Sequence, residues 1–296
     1  MAGVKSRQEK IFTAAAHIVM IVLCILAVAP FWLMISGSLT DNTMLAKTGY
    51  QFIPAKFSLE AYAYIVQEWA QIGNSYLVTV IVTFAGTVVS LVMVSLAGFA
   101  LSQRDVPGLK VISTLIIITM LFNGGVVSSY IIYSNLIHIK DTIWALIVPN
   151  LMLNGFNVVL VKNYMTHSLP FELQEAAEID GAGCFGIYVH IILPLSKPIL
   201  ATVGLLTAVG YWNDWTNGLY FVTDSKLYSV QLLLNQMNNN IQYLASHSNL
   251  AGSQGSMPGT SMRMAIAVVG ILPILVLYPF FQKYFEQGIT MGAVKG

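Results

Sequence analysis

The sequence is poor in charge. Asp, Glu, Lys and Arg make up 9% of its 296 residues, against 56% apolar residues, whereas a soluble globular domain carries about 25% charged residues. That deficit excludes an ordinary soluble domain and points to lipid as the main solvent. A net charge of +1, with no cluster of Lys and Arg, excludes the basic footprint of a nucleic-acid binder. Cysteine is scarce too. Cys24 and Cys184 form neither a CxxC pair nor a Cys/His spacing, so they read as small packing residues and no metal site is expected. His17, His138, His167, His190 and His247 are scattered. A G-x-x-x-x-G-K-[ST] phosphate loop, an H-E-x-x-H metal helix and a G-x-S-x-G nucleophile elbow are all missing. The chain is expected to hold no cofactor and to catalyse no reaction.

What is present is long apolar stretches. A spanning helix needs about 20 mostly apolar residues, and six stretches qualify: 11–36, 75–101, 109–136, 143–161, 198–215 and 264–285. The first follows Lys5, Arg7 and Lys10 and superficially resembles a signal peptide. It is about twice the length of a signal-peptide apolar core and no small-residue cleavage site follows it, so it reads as a retained span. The expectation is an all-α integral membrane protein with a single transmembrane domain over 1–296.

Six spans put both termini on one side. Lys5, Arg7, Lys10, Arg104, Lys110, Lys162, Lys197, Lys283 and Lys295 fall on that side, nine of the fourteen cations, and Lys47, Lys56, Lys140, Lys226 and Arg263 on the other. By the positive-inside rule the termini are expected in the cytoplasm. Three connections are long: 37–74 and 216–263 face outward, and 162–197 faces the cytoplasm. Apart from Asp214 at the edge of the fifth span, the spans contain no acidic residue. A proton-coupled carrier needs titratable groups at membrane depth, so a secondary carrier for a small polar solute is the weaker alternative. The chain reads as a path without its own energy source.

The acids that exist are concentrated. Glu172, Glu175, Glu178 and Asp180 place four of thirteen carboxylates within nine residues of the cytoplasmic connection. Pro170 suits the first turn of a helix, and Gly181 and Gly183 suit the turn that stops one. Glu172, Glu175 and Glu178 fall within an arc of about 120° on such a helix, with Leu173, Ala176 and Ala177 opposite. Asp180 is placed to cap a second short helix. The expected geometry is helix, Gly turn, helix along the membrane surface. Either the helix is simply solvated, or it docks a cytoplasmic protein.

This passage resembles a known motif. Glu175, Ala176, Ala177, then Gly181, Ile191, Leu193 and Pro194 at their spacings are similar to the EAA motif of ABC-importer permeases. The similarity extends to "YWNDWTNGLYFV", "PILVLYPFFQKYF" and the ending "GAVKG", which resemble carbohydrate-importer permeases of the MalG type, in particular the LplC/YtcP group. The resemblance implies six transmembrane helices in a bacterial cytoplasmic membrane, paired with a homologous second permease around a substrate path. It implies two further partners, a pair of ATPase subunits that bind ATP and Mg and an extracytoplasmic solute-binding protein. The EAA loop would dock in a cleft of one ATPase, the 216–263 loop would reach toward the binding protein through Asn238–Ser261, and the C-terminal tail would extend to the ATPase pair.

Candidate substrate contacts are Asn123, Gly124 and Gly125, which interrupt the third span, Asn154 and Asn157 in the fourth, and Tyr211, Trp212, Asn213 and Trp215 in the fifth. Broken backbone at membrane depth is tolerated where it lines protein or water. Aromatic faces and amides together suit an oligosaccharide. The same residue types also anchor spans at the interface and pack helices in lipid, and the sequence leaves both roles open.

Overall fold

The computed structural model describes residues 7–104, 106–122, 124–149, 151–246 and 259–293, with side chains described for all of these except 7, 9, 241, 244–246 and 277–293. Helices dominate: α1 (Arg7–Ser38), α2 (Asn42–Thr48), α3 (Glu60–Gln67), α4 (Trp69–Ser102), α5 (Leu109–Leu121), α6 (Gly125–Tyr130), α7 (Trp144–Ile147), α8 (Gly155–His167), α9 (Glu172–Ile179), α10 (Cys184–Ile187), α11 (Leu193–Leu195), α12 (Lys197–Trp212), α13 (Thr216–Phe221), α14 (Val230–Ser246) and α15 (Thr260–Ala293). Among the described residues there is no β-strand, and one isolated bridge pairs Thr40 with Phe57. Among the described residues, two helical stretches are long and apolar enough to cross a membrane, Lys10–Ser38 and Trp69–Ser102. The pair Cys184–Leu195 and Lys197–Trp212 also qualifies as one crossing bent by 77°. Pro194 and Pro198 lie in the first turns of the helices flanking the bend, where a missing N–H removes ladder bonds and lets the chain turn.

Helix α1 has 32 residues, about 48 Å of helix against a hydrocarbon core of about 30 Å. Its apolar window buries nothing against the rest of the chain, and Ile11, Phe12, Ile18 and Leu26 are all more than 60% exposed. In water such a surface would aggregate; in lipid it is the expected one.

The chain forms two compact units. The first comprises Met1–Trp69 and Gln236–Leu272. Here the indole of Trp32 donates to the Phe52 carbonyl at 2.8 Å and the Ser36 hydroxyl to Gln51 at 2.6 Å. Asp41 caps α2 by accepting from the backbone N–H groups of Thr43 and Met44 and pairs with Lys56 at 3.0 Å. The Thr43 hydroxyl, Lys56 and the Met44 N–H hold its carboxyl well below the usual carboxylate range.

The second unit comprises Ala70–Asn235 and Pro273–Gly296. Its core has two clusters along α4. Near the Ser102 end, Val94, Phe99 and Leu101 pack with Val158, Val161, Ile187, Tyr188, Ile192 and Val203. Near the opposite end, Val78 and Val82 pack with Ala145, Leu146, Tyr211 and Phe221. Close approach is made by small residues: a Cβ on Gly98 would lie 2.7 Å from Val161, and one on Gly86 would lie 2.5 Å from the Tyr211 ring.

Several expected boundaries shift. The stretch 109–136 is interrupted after Leu121, with α6 passing into a π-helical turn, Ile131–Leu136. The stretch 143–161 is not one helix. It divides into α7 and α8, because Pro149 cannot donate to the helical ladder and Asn154 starts a new helix by accepting from the N–H groups of Phe156 and Asn157. Helix α8 then runs on to His167, taking the first residues of the connection expected over 162–197. Helix α12 ends at Trp212, because Asp214 caps α13 through Thr216 and Asn217. The polar passage read as a loop is helical through Ser246 in α14; 247–258 lies outside the described residues.

Candidate functional site

The acidic passage folds as helix, glycine turn, helix. Helix α9 ends at Gly181, whose φ of +82° is the left-handed conformation open to glycine. The Gly181 N–H donates to Glu178 at 3.0 Å and the Ala182 N–H to Ala177 at 2.9 Å, the paired bonds of a Schellman ending. Asp180 is the residue at that ending and does not cap the next helix, whose first turn follows Gly183 without a side-chain cap. The turn separates Asp180 from the second helix by three residues, too far for its carboxylate to serve as the cap.

The buried side of α9 also differs from the expected one. Gln174 and Ala177 are buried, whereas Leu173 is 42% and Ile179 86% exposed. Ala176 is exposed with Glu172, Glu175, Glu178 and Asp180. The face left open therefore mixes carboxylates with Ile179 and small Ala176, and Phe185 adds a ring that is 72% exposed. Leu193 is half-buried and Pro194 exposed. Three contacts tie the passage to the Ser102 end of α4. The Gln103 amide donates to the Gln174 side chain at 3.4 Å, the Arg104 guanidinium lies 4.4 Å over the Phe171 ring, and the Tyr188 and Ser95 hydroxyls bond at 2.7 Å. Gln174, Phe171 and Tyr188 were not singled out by sequence; their place within or beside the acidic passage is the one signal that could have found them.

A second feature is a cavity of about 690 Å³ beside the break between α5 and α6. It brings together Gly124 and Asn154 with Thr119, Ser129, Tyr133, Met120, Met152 and Phe156. Its lining carries hydroxyls, an amide, thioethers and aromatic rings but, among the described residues, no charged side chain. Gly125, at φ +80°, turns the chain into α6. The Gly124 carbonyl accepts from the Ser128 hydroxyl. Asn123 lies outside the described residues. The other candidates are placed elsewhere. Tyr211 and Trp212 are buried at 2% and 6% exposure, and the Tyr211 hydroxyl donates to Ile147 at 2.8 Å. Asn157 donates to the Thr207 hydroxyl at 3.2 Å in the interior. Asn213 is at the end of α12, bonded to Val209, and Trp215 is 41% exposed. Tyr133, Thr119 and Ser129 line the cavity without having been expected; proximity to the Asn-Gly-Gly interruption is the signal that could have found them.

Near the Trp69 end of α4, Asp141 clamps two connections. Its backbone adopts φ +56°, and its carboxylate accepts from the Thr223 N–H and hydroxyl and from the Asp224 N–H. The backbone N–H of Thr223, then its hydroxyl, hold the Asp141 carboxyl below its ordinary range. Because the folded value is lowered, the clamp is complete above about pH 4, the unfolded carboxylate value, and is lost as pH falls through the folded value. Asp141→Ala removes the acceptors and puts a Cβ-bearing residue less suited to the left-handed region there, costing about 1–2 kcal/mol. Asp141→Asn keeps one acceptor and tolerates that backbone, so it is expected to cost less than half as much. Thermal unfolding of the purified chain at pH 7 measures both; equal melting of the two variants contradicts the clamp.

The chain is similar to known proteins over nearly its whole length. It is 35% identical to the polygalacturonan/rhamnogalacturonan transport system permease protein YtcP of Bacillus subtilis (strain 168), over 98% of this chain and 100% of that one. It is also 35% identical to Protein LplC of the same organism, over 92% and 90%. A crystal structure of a bacterial ABC transporter that imports the acidic polysaccharide alginate matches with a TM-score of 0.79 and 27% identity, over 96% of this chain and 100% of the matched chain. The model of the family described as "Binding-protein-dependent transport system inner membrane component" matches residues 96–291. That span includes α9, the Gly181 turn and the cavity, and with it the chain belongs to this family of ABC transporter permeases.

Proposed function

We propose that this chain is one permease half of an ATP-driven, binding-protein-dependent importer of oligosaccharides, and that α9 with its Gly181 turn receives the motion of a separate ATPase. The observation that carries this reading is the open face of α9 in a member of this family: carboxylates interleaved with exposed Ala176, Ile179 and Phe185, anchored behind by Gln174 and Ala177. Apolar and charged groups arranged together on a rigid support suit a protein partner, with the acids steering and the apolar groups filling. Solvent alone gives no reason to expose Ile179 and Phe185.

In this reading α1, α4, α5–α6, α7–α8, α10–α12 and α15 make six crossings, with both termini in the cytoplasm. A homologous second permease completes the path, two ATPase subunits bind ATP and Mg, and a solute-binding protein delivers substrate outside. Closure of the ATPases pushes α9; the bonds from Gln174 to Gln103 and from Tyr188 to Ser95 pass the displacement to α4. The cavity beside Gly124 and Asn154 then offers hydroxyls and an amide to sugar hydroxyls and rings to sugar faces. Its lining, uncharged among the described residues, suits the ring system of a sugar.

YtcP is named for polygalacturonan/rhamnogalacturonan transport and the matched structure for import of the acidic polysaccharide alginate, so we assign oligosaccharides derived from plant or algal polysaccharides, uronate-containing ones included. A secondary carrier is disfavoured: the one acid in the six apolar stretches, Asp214, serves as the cap of α13. The test is co-purification. Affinity capture of this chain from a host expressing its permease and ATPase partners should retain the ATPase pair, and Ile179→Asp combined with Phe185→Asp should release it while leaving the second permease bound. Capture with no ATPase in either case would overturn the reading.

A further inference from the structure

A second cavity, of about 590 Å³, lies between the start of α5 and the far turns of α4 and α8. Three of its lining residues are cations from separate elements: Arg104 after α4, Lys110 in the first turn of α5 and Lys162 in α8. Ser102, Ser113 and Thr166 add hydroxyls, and Gln103 an amide. No acidic side chain lines it among the described residues; Asp105 lies outside them. Lys162 is half-buried and donates to the Ser113 hydroxyl at 2.9 Å. No carboxylate pairs with any of the three cations among the described residues. Gln103 and Arg104 also touch Gln174 and Phe171 beside α9, but Lys110 and Lys162 take no part in the proposed path or in the α9 contacts, and three cations with no described carboxylate beside them call for an anion.

The surface beside the cavity says which anion. Val111 lines its rim, and from there Val111, Leu115, Ile118 and Phe122 continue along one side of α5, exposed at 63%, 54%, 43% and 74%. Helix α5 has 13 residues, about 20 Å, which exceeds half of a bilayer's hydrocarbon core. A free phosphate would use only the cations. A phospholipid uses both parts, its headgroup in the basic cavity and its acyl chains on the apolar side of α5. Basic pockets at the ends of membrane helices take anionic headgroups in this way.

We propose that Arg104, Lys110 and Lys162 form a binding site for one anionic phospholipid, with its phosphate between the cations and its chains along α5. The site belongs to the boundary between chain and bilayer whatever drives transport, so its test and that of the importer reading are independent. The experiment is native mass spectrometry of the full-length chain in mild non-ionic detergent, titrated separately with dioleoylphosphatidylglycerol, dioleoylphosphatidylcholine and inorganic phosphate. The expected result is one phosphatidylglycerol bound about a hundredfold tighter than phosphatidylcholine, at roughly fivefold for each of the three cations. Lys110→Gln/Lys162→Gln should leave only the roughly fivefold preference of Arg104, and Lys110→Arg/Lys162→Arg should keep the full preference. Millimolar inorganic phosphate should displace none of the lipid. Where the double variant does not elute as a single species, exposed Lys110→Gln alone is measured, with a loss of about fivefold expected. Equal binding of the two lipids, an unchanged preference in the Gln variants, or displacement by inorganic phosphate would overturn the proposal.

Discussion

Gly181→Asp is expected to leave the protein inserted and folded while uptake falls by at least tenfold and ATP hydrolysis continues without transport. Gly181 stands at φ +82°, and a Cβ there would meet nothing within 4 Å, so the substitution creates no clash inside the chain. Its folding cost is the left-handed backbone alone, about 1 kcal/mol, in a connection that we propose lies outside the lipid core. The turn, however, sets the angle between α9 and α10 through the bonds from Gly181 to Glu178 and from Ala182 to Ala177. A fifth carboxylate and a shifted turn alter the face that we propose meets the ATPase. Gly183→Ala is the control: Gly183 has φ −72° and open space around it, so it should transport normally. Normal uptake by Gly181→Asp would remove the turn from the coupling account.

Gly86→Val is expected to fail in the opposite way, with insertion retained and stability lost. The added Cβ would lie 2.5–2.7 Å from three atoms of the Tyr211 ring. That ring has nowhere to go: Tyr211 is 2% exposed, and its hydroxyl is held by the Ile147 carbonyl at 2.8 Å. Overpacking of this kind costs about 1–3 kcal/mol, and the fixed ring puts this case at the upper end. Because valine is apolar, the stretch should still enter the membrane. The purified variant should melt roughly 5–10 °C lower. Adding Tyr211→Leu removes the opposing ring and should recover part of the loss, a coupling that a double-mutant cycle measures. Wild-type melting of Gly86→Val would show that α4 and α12 are not in the close contact described.

The acidic passage was the part of the molecule most legible in the sequence, because its signals are local. Pro170 and Gly181 delimit a helix by backbone chemistry alone, and the structure has α9 between them. Its buried side was misread because helical spacing alone does not tell which side meets a neighbour. Gln174, polar by type, is buried because the amide of Gln103, just past the end of α4, donates to its side chain. The long apolar helices α1 and α4 were equally plain. The stretch 143–161 was not, since hydropathy averages over Pro149 and Asn154, the residues that break it. The candidate path residues separated for a related reason. Tyr211 and Asn157 look like sugar-binding groups in isolation, but their partners, Gly86 with Ile147 and Thr207, come from distant stretches and bury them. Gly124 and Asn154 remain at a cavity because the backbone itself is broken there.

The central claim is that the energy for transport enters from another chain through α9. Its most direct test is uptake into proteoliposomes containing this chain, its second permease and the ATPase pair, with the binding protein and a labelled galacturonate oligosaccharide outside and nucleotide inside. The account predicts accumulation with internal ATP and Mg, none with ADP, and no change when the proton gradient is collapsed. Accumulation driven by a pH gradient without ATP would contradict it.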